Sequence, residues 1–189
     1  MAIGRLKIGA IRIEQGRVTD RFQSLMNPGR RVDPFIESYT GITNAMLRDA
    51  PPCKEVMSKF ADFIEDYDLV AHNASFDSRF LTAELRRVKR LCAGEFACSM
   101  LVARRLYQDA DNHKLGTLVK LLRIPNNGTF HRALADADMT AHLWLKMLAE
   151  IKGKYRITEI TFPLMQKLSR TTASAVPRFL RGWNASNKE

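Results

Sequence analysis

Long apolar runs are what this chain lacks first. No stretch approaches the ~20 residues needed to cross a bilayer. The opening MAIGRLKIGAIRI has neither the long apolar segment nor the small-residue cleavage site of a secretion signal. A membrane or exported protein is therefore not expected, and a cytoplasmic one is. Cysteine is scarce as well. Cys53, Cys92 and Cys98 are an odd number with no CxxC spacing, which argues against a disulfide framework or a structural zinc site. Low-complexity tracts and internal repeats are absent. Acids are outnumbered, with 20 Asp and Glu against 30 Lys and Arg, giving a net charge of +10 and a pI near 9.9. A basic excess attracts phosphate polymers through counterion release, though it equally describes a solvated basic surface. The imbalance is sharpest in residues 151–189, where eight Lys and Arg face only Glu159 and Glu189.

What is present fits one globular domain of the α/β class. With 189 residues, 46% of them hydrophobic, the chain can bury a core. RLKIGAIRI (5–13) and RVTDRFQSLM (17–26) read as strands joined by the turn signal Glu14-Gln15-Gly16. Residues 30–42 read as loop. Thr43 is a helix N-cap for NAMLRD. Pro51-Pro52 opens a helix with Val56, Phe60, Phe63 and Ile64 on one face. Residues 68–72 form a short buried strand. A helix over 75–88 is capped by Ser75, with Phe76, Phe80, Leu81, Leu85 and Val88 inward. A strand at 95–99 and helices over 100–107 and 114–124 follow. A long helix begins near Arg132, runs to about Ile151 and ends at Gly153. Strands followed by alternating strands and helices predict a mixed sheet flanked by helices. The expected division is a domain over 1–152 and a basic, partly helical appendage over 153–189.

Two stretches carry chemistry. In DLVAHNASFDSRFL (68–81) a strand runs into a helix whose first turn holds Asp77. The helix dipole favours a carboxylate there, so capping alone would account for it. The same place, at the end of a strand in an open α/β sheet, is where such folds set their sites. In FHRALADAD (130–138) His131 precedes the long helix and Asp136 lies one and a half turns in, able to point back toward it. Asp138 is turned about 200° further round and reads as solvated. Carboxylates drawn together repel unless a cation joins them, so a Mg²⁺ site is a sensible destination. A neutral histidine, with an ordinary pKa near 6.5, can take a proton from water.

HNASFD and HRALADAD, with NHKLGTLVKLL between them, resemble the second and third motifs of the DEDDh 3′–5′ exonucleases, the family of the proofreading epsilon subunit of bacterial DNA polymerase III. The KIGAIRI strand, the NPGRRVDP loop, and GIT followed by ML and DAPP resemble the family in the same order, over roughly residues 5–150. The resemblance implies an RNase H-like fold and two divalent metals, Mg²⁺ or Mn²⁺, about 4 Å apart. It implies that Asp77 and Asp136 hold metal, that His131 is the general base, and that Asn73 supports the site. Thr40 stands where the polymerase subunit has a histidine near the substrate. The implied reaction releases nucleoside 5′-monophosphates from the 3′ end of a nucleic acid, single-stranded DNA above all, with a DNA polymerase subunit as partner.

The family's first motif, an apolar strand ending in Asp-x-Glu-Thr, is absent from this chain. It would precede KIGAIRI, and Met1 lies too close. Glu14 sits in a turn. Glu37 belongs to a later loop, with Phe35 where an aspartate would have to stand. The missing strand is central in the family sheet. Its neighbours must therefore close together, accept a strand from another chain (self-association through open edges included), or remain raw edges. Three expectations follow: an exonuclease whose chain here starts late, a non-catalytic nucleic-acid-binding or polymerase-accessory module, and a self-associating remnant. For the chain as it stands, weak or absent activity is expected.

Overall fold

The computed structural model describes residues 2–3, 6–125 and 133–186. The N-terminal hairpin forms as its alternation predicts. Strands β1 (Ala2–Ile3), β2 (Lys7–Glu14) and β3 (Arg17–Leu25) pair antiparallel in the order β1-β2-β3. Gln15 and Gly16 take φ of 50° and 76°, the left-handed pair that a two-residue hairpin turn requires. Along β2, Ile8 and Ala10 join a core cluster with Met57, Phe60 and Leu81.

The stretch expected as loop contains helix α1 (Pro34–Thr40). Its end signals are present in the sequence. Asp33 accepts from the Phe35 amide at 2.8 Å, Pro34 occupies the first turn, and Gly41 closes it at φ 67°. No residue of α1 is buried, and Phe35 and Tyr39 stack on each other in solvent. An apolar-face criterion therefore has nothing to find. Helix α2 (Asn44–Arg48) is capped by Thr43, whose hydroxyl accepts from the Met46 amide at 3.1 Å. Helix α3 (Cys53–Ile64) buries Val56, Met57, Phe60, Ala61 and Ile64, with Phe22 of β3 set 5.2 Å from Phe60.

Strand β4 (Leu69–Ala71) leads into α4 (Ala74–Arg87). Strand β5 (Phe96–Cys98) pairs parallel with β4 and leads into α5 (Ser99–Leu106). Among the described residues these two strands form a sheet separate from the hairpin. Two expectations about α4 are corrected. The helix starts at Ala74 with Asn73 in the cap position, so Ser75 lies inside the first turn and does not cap it. The buried stripe is Ala74, Asp77, Leu81, Glu84 and Leu85; Phe76 falls off that stripe and is 52% exposed, stacked on Phe80 at 6.3 Å.

Helix α6 (Leu115–Leu121) is followed by the long α7 (Ala133–Tyr155), which continues past Gly153. Gly costs about 1 kcal/mol inside a helix. Here the neighbouring turn is anchored by buried Ile151, and the chain reverses only at Arg156, φ 54°. Helix α8 (Phe162–Arg170), a 3-10 turn at Ala173–Ala175 and α9 (Val176–Ser186) complete the chain. The basic tail adds Leu164, Met165, Leu168, Val176 and Leu180 to the core formed with Leu143 and Met147 of α7. No described helix is long and apolar enough to cross a membrane.

Candidate active site

Two helix starts define the site. At the first, β4 ends at Ala71, and His72-Asn73 turn the chain into α4, with Asn73 at φ 70° and ψ 53°. Asparagine tolerates this left-handed conformation better than most residues because its short polar side chain bonds locally. Asp77 follows in the first turn and is only 8% exposed. At the second, α7 starts against β2. A Cβ added to Gly9 would lie 2.4 Å from the Ala133 carbonyl carbon, so only glycine lets strand and helix approach this closely. That contact sets Asp136, half-buried in the first turn of α7, beside the sheet. Both α4 and α7 pack on β1. Asp77 and Asp136 thus stand in the first turns of two helices that share one short strand.

The remaining predicted residues are distributed differently. His131 lies outside the described residues. Asn73 is exposed at the start of α4, four positions before Asp77. Thr40 closes α1, donating to the Ile36 carbonyl at 2.6 Å and accepting from the Ile42 amide at 3.2 Å. It lines a groove of about 670 Å³ with Arg30, Arg31 and Asp33, a lining that includes none of Asn73, Asp77 or Asp136. Asp138, expected to be solvated, is instead half-buried between two ionic partners. It lies 3.9 Å from Arg21 and 3.4 Å from His142. Glu14 and Glu37 serve structure: the first accepts from the Tyr67 hydroxyl, the second from the Asn44 amide.

Sequence reading missed the part played by His72. Its Nε2 lies 2.9 Å from the His113 carbonyl and its Nδ1 lies 3.0 Å from the Ser99 hydroxyl. A neutral ring donates to the carbonyl from Nε2, and the Ser99 hydroxyl, 3.3 Å from the Ala71 carbonyl as well, shares its one proton between that oxygen and Nδ1. Burial pushes its pKa below the ordinary histidine value, against the carbonyl hydrogen bond, which raises it. His72 therefore ties the end of β4 to the start of α5 and to the segment before α6. The only signal in the sequence is a histidine ending an apolar strand. All three cysteines are free. Burial and the neighbouring Glu84 raise the Cys53 pKa, which keeps it protonated.

Among the described residues no three His, Cys, Asp or Glu side chains converge as a metal-binding group. Mg²⁺ takes a near-octahedral set of oxygens, and two carboxylates leave most of it to water. The described residues alone do not build the metal centre that the resemblance implies.

Hairpin, parallel pair and flanking helices make this an RNase H-like fold. Exonuclease X, solved in complex with 5′ overhanging duplex DNA, matches it with a TM-score of 0.64 at 26% identity, covering 87% of this chain and 90% of that one. The profile of the RNase T exonuclease family matches residues 5–144, and the chain belongs to that family. It is 31% identical over 153 residues to DNA polymerase III subunit epsilon of Aquifex aeolicus, covering 80% of this chain and 75% of that protein. It is 36% identical over 169 residues to DNA polymerase III PolC-type of Caldanaerobacter subterraneus subsp. tengcongensis. That match takes in 86% of this chain but spans only 12% of the PolC-type protein's length.

Proposed function

We propose that the protein's role is 3′–5′ exonucleolytic hydrolysis of nucleic acid, DNA in preference to RNA, in the cytoplasm and in company with a DNA polymerase. The observation that carries this reading is the pair Asp77 and Asp136, in the first turns of α4 and α7 against one strand, inside an exonuclease-family domain. In the reaction a water oxygen bonds to the terminal phosphorus as the bond to the 3′ oxygen breaks. The leaving oxygen takes a proton and the terminal nucleoside 5′-monophosphate departs. Asp77 and Asp136 would hold Mg²⁺ or Mn²⁺, His131 is the base that takes the proton from water, and Asn73, four positions before Asp77, supports the site; Thr40, in a groove that none of these residues lines, is the least supported of the predicted substrate contacts. The carboxylates of the first motif are absent, so the chain as it stands turns over slowly or not at all.

The test is shortening of a single-stranded DNA oligonucleotide by the chain and by a version carrying an apolar Asp-x-Glu strand upstream, with Mg²⁺ or Mn²⁺. The extended version is expected to be faster by about three orders of magnitude, roughly 4 kcal/mol of transition-state stabilisation. His131→Ala and Asp77→Asn within it are expected to abolish the gain. An inert extended version, or one indifferent to Asp77→Asn, removes the nuclease reading.

A second reading, a non-catalytic nucleic-acid-binding module, draws support from a groove of about 800 Å³ beside α4. Arg30, Lys54 and Arg79 line it together with the stacked Phe76 and Phe80. Cations and exposed rings are what a single strand's phosphates and bases engage. This reading expects salt-dependent binding of the oligonucleotide with no shortening by either version.

A further inference from the structure

In residues 151–186, seven Lys and Arg face a single acid, Glu159. All seven are exposed, and among the described residues none of them makes an ion pair. Elsewhere on the surface the signs are interleaved: Lys59 pairs with Glu55, Arg87 with Glu84 and Arg90 with Asp62. A face of one sign repels itself unless a polyanion neutralises it. These cations are also held on a firm frame. Leu164, Met165 and Leu168 of α8 and Val176 and Leu180 of α9 are buried in the core shared with α7. At about 100° per residue, Arg170 lies across α8 from Leu168, and Arg178 and Arg181 lie across α9 from Val176 and Leu180. Lys167 ties the two helices together, its Nζ 5.1 Å from the centre of the Trp183 ring.

The aromatic residues decide which polyanion fits. A single strand is held by bases stacked on exposed rings as well as by charge. Here Phe179 and Trp183 are half-buried, 5.9 Å apart and packed on the core. Among the described residues, the exposed large hydrophobics all lie between Phe35 and Leu121. The layer therefore offers charge without a stacking platform. That suits a duplex, whose bases are already stacked and whose outer surface is phosphate. Position fits as well. At 1.5 Å per residue along α7, Lys152 stands about 24 Å from Asp136. We propose that the outer faces of α8 and α9, with the last turn of α7, are a docking surface for the phosphate backbone of duplex DNA, gripping it behind the 3′ end rather than at the end itself. The proposal rests on the reading of the protein as one that acts on nucleic acid, but it needs neither metal nor turnover.

The test measures anisotropy of a fluorescein-labelled blunt DNA duplex, and of its separate single strand, with the full chain in EDTA over a range of salt. Lys167→Gln, Arg170→Gln, Arg178→Gln and Arg181→Gln together are expected to lower the slope of log affinity against log salt for the duplex by about 3, and to weaken binding at least ~30-fold at about 0.1 M salt. Arg17→Gln, Arg48→Gln, Arg86→Gln and Lys120→Gln remove the same charge from exposed positions elsewhere. They are expected to change the slope by less than about 1. Arg178→Lys with Arg181→Lys is expected to keep it, and unchanged urea midpoints verify the fold of each variant. Equal losses in the two sets of four overturn the proposal, since overall charge would then account for binding. A single strand that loses as much as the duplex overturns it, and so does polyglutamate or a phosphatidylserine vesicle that depends more on the four cations than the duplex does. Asp77→Asn is expected to leave duplex binding unchanged. A chain that binds duplex through these cations yet never shortens an oligonucleotide counts against the nuclease reading alone. A chain that shortens one while duplex binding ignores these cations counts against this proposal alone.

Discussion

On one side of α7, Leu143 and Met147 lose all solvent contact against Leu164, Leu168 and Leu180 from the C-terminal helices. On the adjoining face of the same helix, Trp144, Leu145 and Leu148 border a cavity of about 400 Å³ beside the edge of β2, with Trp144 itself buried at the margin of the C-terminal core. The two sides differ in what they ask of a neighbour. An apolar helix face is satisfied by any apolar face of suitable shape, because burial is non-directional. A strand edge asks for hydrogen bonds in register, which side-chain rearrangement cannot supply. The helical side has therefore closed with the residues available, and the sheet side has not.

The comparison breaks most sharply under truncation. Leu143→Ala is expected to cost about 3–5 kcal/mol, because its surroundings are full and cannot collapse around the loss. Leu145→Ala, facing existing space, is expected to cost less than about 1.5 kcal/mol. Urea midpoints at unchanged slope measure both, and equal losses would mean that the two sides are equally packed. Next comes the junction of sheet and helix. Gly9→Ala sets a methyl against the Ala133 backbone and is expected to cost about 3 kcal/mol, as overpacking of an unyielding contact does. Amide exchange in β2 and in the first turns of α7 should quicken together if that contact is the hinge between them.

A smaller effect is expected from His72, whose two hydrogen bonds link β4 to the α5 and α6 side. Its folded-state pKa lies below the ordinary value of about 6.5, so the unfolded chain binds the proton first as pH falls. Its contribution is complete above about pH 6.5 and is lost as pH drops from there through the lowered folded-state pKa. His72→Gln should flatten this part of the stability–pH curve. A curve unchanged by the substitution would show that another group governs the acid limb. Least is expected from the surface of α3. Glu55 and Lys59 pair at 2.7 Å, but both are half-exposed, and Lys59→Ala should change stability by no more than about 0.5 kcal/mol.

Legibility in the sequence followed burial. The hairpin, α3 and the β4–α4 step declared themselves because their apolar residues recur with a period that a core enforces. Helix α1 did not, since its rings face solvent and only its caps mark it. Phe76 was misplaced for the converse reason: an apolar residue next to a buried stripe reads as part of it, and only the helix orientation shows that it falls outside. Gly153 is a local breaker overruled by packing nearby, as propensity often is. At the site, Asp77 and Asp136 were legible as first-turn acids on two helices. His72 was not, because its partners lie 27 and 41 residues away.

By itself the sequence determined the secondary elements with strong periodicity and the placing of Asp77 and Asp136 at two helix starts. These are local matters of spacing, caps and order along the chain. Tertiary structure alone decided that the two helix starts share β1, that the basic tail enters the helical core, and that a cavity of about 400 Å³ lies between β2 and β4. The reason is that each depends on which surfaces meet across tens of residues, where packing and register choose among arrangements that local pattern leaves equal.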